Sequence, residues 1–93
     1  MIVSFKDRST EQVAAGKAPK GFPADLVRSA QRKLYMIEHA VELRDLMLSP
    51  GNRLEALKGN RTGQHSIRVN DQWRICFVWK EDGAHEVCIV DYH

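Results

Sequence analysis

Asp91-Tyr92-His93 places a carboxylate, a phenol and an imidazole on consecutive residues. They follow Val87-Cys88-Ile89-Val90, an apolar run rich in β-branched side chains that reads as a buried strand. Asp91 and His93 titrate and can move protons. Tyr92 can stack on an unstacked base or donate a hydrogen bond. Lys58 and Arg74 add fixed cations. Together these types suffice to cleave RNA without a metal. A base takes the 2′-hydroxyl proton, cations stabilise the phosphorane, and an acid protonates the departing 5′-oxygen. The plain structural alternative is a polar strand end with an edge tyrosine and a solvated histidine.

Bringing these residues together is the task of a hairpin. Asp82-Gly83 is a type I′ turn signal between Trp73–Trp79 and Val87–Val90. A two-residue turn there predicts that Phe77 faces Cys88, Arg74 faces Asp91 and Trp73 faces Tyr92. The Arg74–Asp91 pair is then either a surface salt bridge or an arginine that grips phosphate while a carboxylate holds it.

Charge is divided along the chain. Residues 53–80 hold six Lys or Arg (Arg53, Lys58, Arg61, Arg68, Arg74, Lys80) against Glu55 and Asp71, a balance of +4. Residues 81–93 hold four acids and no Lys or Arg, a balance of −4. A basic block suits a phosphate-bearing partner, and a solvated sheet face reads the same way. Cys76 and Cys88 form no CxxC motif and read as reduced core thiols. His39, His65, His85 and His93 lack metal-ligand spacing, so no metal and no cofactor is expected. No apolar run is long enough for a bilayer, and Met1–Phe5 lacks the build of a signal peptide, so a cytoplasmic location is expected.

The remaining pattern supplies the frame. Ile2–Phe5 reads as a strand. Asp7–Ala15 reads as a helix with Asp7 or Ser9 as N-cap. Pro23 opens a second helix whose core stripe holds Leu26, Ala30, Leu34 and Ile37. His39-Ala40 marks a kink or cap. Glu42–Met47 reads as a further helical piece burying Leu43, Leu46 and Met47. Ser49-Pro50-Gly51-Asn52 is a stop. The period then changes to 2: Arg53–Lys58, His65–Val69, Trp73–Trp79 and Val87–Val90 read as strands. The chain is predicted to be one α+β domain, residues 1–93, with helices on one sheet face.

The stretch Gly51-Asn52-Arg53-Leu54-Glu55-Ala56-Leu57-Lys58-Gly59-Asn60-Arg61 carries a resemblance, as do Ser66-Ile67-Arg68-Val69-Asn70-Asp71-Gln72-Trp73-Arg74 and the terminal Asp91-Tyr92-His93. With them the chain resembles, over its whole length, the HigB-type plasmid-maintenance killer proteins, GraT-like toxins of the RelE superfamily. The resemblance implies a RelE-like microbial RNase fold, an N-terminal strand and helices packed on a curved antiparallel sheet. It implies a type II toxin, a metal-independent endoribonuclease that cuts mRNA in the 30S A site of the ribosome. A helix-turn-helix, HigA-like antitoxin would neutralise it, and the complex would bind operator DNA. By position, Asp91, Tyr92, His93, Lys58 and Arg74 match the family's catalytic residues. Arg53, Arg61, His65, Arg68 and Lys80 are the candidates for gripping RNA or ribosome. Some relatives carry a histidine three residues before the lysine, where this chain has Glu55. The second reading is a catalytically inactive RelE-fold nucleic-acid or protein binding module acting in autoregulation.

Overall fold

The structure, a computed structural model, describes residues 1–91. Tyr92 and His93, both assigned to the candidate site from sequence, lie outside the described residues. Helix α1 spans Arg8–Ala14 and starts at Asp7, whose carboxylate accepts from the Thr10 amide at 2.8 Å. Helix α2 spans Ala24–His39, with Pro23 at the N-cap rather than inside the first turn. Leu26, Val27, Ala30, Leu34 and Ile37 form its buried stripe, and Ala40 caps it in extended conformation.

The next piece, Leu43–Met47, is a 3-10 turn closed by a capping box between Glu42 and Asp45. Only Leu46 of its apolar residues is buried, and Met47 is 64% exposed. The expectation that Met47 is buried is therefore corrected, while Leu43 is half-buried against the core. A 3-10 turn has too few residues to close an apolar stripe.

Four antiparallel strands follow: β1 (Glu55–Ala56), β2 (His65–Arg68), β3 (Trp73–Lys80) and β4 (Gly83–Asp91), ordered β1-β2-β3-β4. The predicted strand Arg53–Lys58 is thus reduced to two residues. Arg53 adopts φ 44° as it leaves the 3-10 turn Pro50–Asn52, so extended structure cannot begin there. The main core lies between the helices and one sheet face, with Val13, Leu26 and Ile37 against Ile67, Ile75, Phe77 and Val87. A smaller cluster, Leu57, Cys76, Cys88 and Val90, sits apart from it.

The last hairpin departs from the predicted register. Lys80 pairs with Gly83, so the two-residue loop is Glu81-Asp82. Neither residue has positive φ, and the unusual backbone falls on Gly83, at φ 131°. His85 and Asp82 lock this tip through a 2.6 Å contact. A bulge between Cys76 and Val78 then shifts the pairing by one, with Glu86 at φ 51°. Trp73 therefore faces Asp91, Arg74 faces Val90 and Cys76 faces Cys88. The predicted Arg74–Asp91, Trp73–Tyr92 and Phe77–Cys88 pairings are all displaced.

The predicted first strand is reduced to two parallel bridges, Ile2 to Ala84 and Phe5 to Val87. It straps the outer edge of β4. The Val3 amide donates to Ala84 O at 2.8 Å, and the Lys6 amide to Val87 O at 3.0 Å. The Ile89 amide donates to Thr10 Oγ1 at 2.9 Å. An edge that would otherwise offer open amides and carbonyls is closed by the same chain.

Candidate active site

Strand alternation divides the residues singled out from sequence between two sheet faces. Glu55, Ser66 and Cys76 occupy matched positions across β1, β2 and β3, with Cys88 beside Cys76. Arg68 and Arg74 are opposite each other on the same face. Ala56, His65 and Phe77 share the other face, which receives the helices.

Arg74 anchors the first face. Its Nε donates to Ser66 Oγ at 2.7 Å, and its Nη2 donates to Arg53 O at 2.7 Å and Ser66 O at 3.3 Å. Ser66 is fully buried, so the guanidinium is aimed by a fixed hydroxyl. The Arg53 carbonyl is fixed as well. It follows Asn52, 1% exposed, whose Nδ2 donates to Leu46 O at 3.0 Å and whose Oδ1 accepts from Lys33 Nζ at 2.5 Å. Left-handed backbone at a residue with a side chain costs about 1–2 kcal/mol, so Arg53 is held there by its surroundings.

Other cations gather around the Cys76–Cys88 pair. Burial pushes both thiols upward in pKa. Lys6 and Arg61 pull both downward, Arg61 also through a hydrogen bond to Cys88. Arg74 acts in the same sense on Cys76. Three positive side chains from the strap, the Gly59–Arg61 turn and β3 thus converge on one patch. Lys58 follows Leu57 at its margin, in a shallow hollow of about 490 Å³ shared with Glu55 and Ala56. Such a patch holds an anion by charge at several points and by the oriented fork of one arginine.

The rest of the expected set is dispersed. Arg68 gives its guanidinium to Asp71 and, with burial and Arg32, depresses the pKa of Lys33 on α2. Lys80 lies at the hairpin end of β3, six residues from Arg74, which is roughly 20 Å of strand. His65 is on the helix side, stacked on Phe77 at 6.4 Å. Asp91 is in register with Trp73 and accepts from Gln72 Nε2 at 3.2 Å. Among the described residues, no group of three or more His, Cys, Asp or Glu is arranged to hold a metal ion.

Sequence reading missed Lys6 and Ser66. Ser66 carries a signal, a small polar residue at strand period opposite a cation. Lys6 carries none, because only the strap brings it to the sheet.

The family described as "RelE-like toxin of type II toxin-antitoxin system HigB" matches residues 3–93. The chain is 40% identical over 85 residues to "Toxin HigB-1" of Vibrio cholerae, covering 90% of each. It is 33% identical over 93 residues to "Endoribonuclease HigB" of Proteus vulgaris, covering all of both chains.

Proposed function

The chain belongs to the HigB-like family of RelE-like type II toxins and is an endoribonuclease, and from that premise we propose that it cuts mRNA in the ribosomal A site with Arg74 as its phosphate clamp. The observation that carries this reading is the aiming of Arg74 by Ser66 and Arg53 within a patch shared with Lys6 and Arg61. In this scheme Arg74, Lys58 and Arg61 hold the scissile phosphate and stabilise its added charge. Asp91 and His93 exchange the protons, and Tyr92 stacks on a base next to the cut. Asp91 is the last residue of β4, and Tyr92 and His93 follow it in sequence.

Arg53 and Arg68 would contact ribosomal RNA by charge alone, whereas Lys80 lies at the far end of β3. The partner is an antitoxin, in this proposal a helix-turn-helix protein of the HigA type, whose complex with the toxin binds operator DNA. The site of action is the cytoplasm, where translating ribosomes are. No helix among the described residues is long and apolar enough to cross a membrane.

The test is induction of the protein without its antitoxin, with mapping of mRNA 5′ ends, and single-turnover cleavage on programmed ribosomes. Growth arrest with new in-frame cuts is expected. Asp91→Asn and deletion of Tyr92-His93 should each lower cleavage about 10²–10⁴-fold. Their melting temperatures should stay near wild type. A folded Tyr92-His93 deletion that cuts at the wild-type rate would remove these residues from the mechanism. Normal growth at high soluble toxin levels would sink the proposal itself.

A further inference from the structure

The helix side of the sheet carries a second concavity that the cleavage chemistry does not use. It is a groove of about 710 Å³ lined by Leu43, Met47, Leu54, Ala56, His65 and Trp79. Its lip is apolar and uncovered: Val41 is 85% exposed and Met47 64%, with Leu48 next to it at 82%. Aliphatic side chains from one short stretch standing this far into water mark a surface that is covered in use. His65 lines the groove, and its Nδ1 is buried behind that wall with no hydrogen-bond partner among the described residues. A buried ring nitrogen in this state is destabilising until something meets it.

Charge selects the class of occupant. Glu42 and Glu81 stand at the groove, and its cation, Arg44, is already engaged by Glu42 at 3.1 Å. Phosphates would meet carboxylates here, so this is not a nucleic-acid surface. The opposite face has the reverse character, with Lys6, Arg61 and Arg74. An apolar trough with acidic margins fits a protein segment with an apolar face and a flanking Lys or Arg. As a type II toxin the chain has an antitoxin to bind.

We infer that this groove is the docking site for an apolar, positively flanked segment of the antitoxin. The segment seats between Met47 and Trp79 and sets its cation against Glu81. The antitoxin then sits on the helix side and leaves the Arg74 face uncovered. The inference rests on family membership and stands apart from the residue roles proposed for cleavage.

The experiment uses the full chain and its cognate antitoxin. Val41→Glu and Met47→Glu place charges on side chains that already face water, so folding should be retained, with melting as the check. Antitoxin affinity, measured by calorimetry, should fall about 30-fold or more, the size of one interface hot spot. Toxin expressed alone should arrest growth as before, and co-expressed antitoxin should no longer rescue it. Met47→Leu should keep binding and rescue. Unchanged affinity in the folded double variant would overturn the inference. So would a matching loss of ribosome binding and toxicity, which would make the groove a ribosome contact. A wild-type toxin dimer that the variant abolishes, with antitoxin affinity intact, would assign the groove to a second copy instead.

Discussion

Arg74 shows how much of a charged residue's role lies in what aims it. Its Nε and Nη2 are both directed by the buried Ser66 and the Arg53 carbonyl. Arg74→Lys keeps the charge and discards the fork, so cleavage on ribosomes should fall about 10²-fold. Ser66→Ala tests the aiming separately. It should cost about 1 kcal/mol in denaturant unfolding and slow cleavage while Arg74 remains. A variant that loses the stability but keeps the full rate would make the hydroxyl structural only. Cys76 and Cys88 behave in the opposite way. Burial raises both thiols, so the folded protein favours their neutral form. Their contribution is complete below the unfolded value of about 8.5 and is lost as pH rises through the higher folded values. Iodoacetamide at neutral pH should label neither until denaturant is added, as mass spectrometry would read.

Elements decide which of these residues meet. Gly83 belongs to the hairpin tip and also underlies the strap, where a Cβ would lie 2.2 Å from the Met1 carbonyl oxygen. Gly83→Ala should therefore destabilise by about 1–3 kcal/mol and raise exchange at the Val3 amide, which donates to Ala84 O, and at the Ala84 amide, which donates to Met1 O. The turn Leu43–Met47 is sensitive to acid. Backbone amides of Glu42 and then Val41 hold the Asp45 carboxyl below its usual range. That support is present above the unfolded value of about 3.9 and is lost as pH falls through the lower folded one. Exchange at the Val41 and Glu42 amides should accelerate there, and Asp45→Asn should remove the pH dependence. The same elements show what the sequence made readable. Asp7 before α1, the stripe of α2 and the apolar run of β3 each state their structure locally. The bulge does not, because Glu86 takes φ 51° without a glycine to announce it. The displaced turn shifted the pairing by two residues and the bulge returned one of them, so Asp91 falls opposite Trp73 rather than Arg74. Arg74 was legible as a candidate for the site, whereas Lys6 was not, since its approach to Cys88 depends on the strap.

Across the whole molecule the two faces differ in charge, and salt should separate them. Removing Arg53 and Arg61 together should lower the slope of ribosome binding against salt, on logarithmic axes, by about two units. Lys80→Ala should leave the slope nearly unchanged, because that lysine sits at the far end of β3. Titration of ribosomes at several salt concentrations would show which holds, and an equal effect of Lys80 would mean the contact surface runs the full length of the strand. The strap has a further consequence, for the order of events in synthesis. Ser4 Oγ accepts from the Glu86 amide across 82 positions, and Thr10 Oγ1 from the Ile89 amide across 79. Contacts that distant form late, after the entropy of closing most of the chain has been overcome. A nascent chain whose β4 is still inside the exit tunnel has its first six residues unmoored, and neither Lys6 nor Asp91 has reached the sheet.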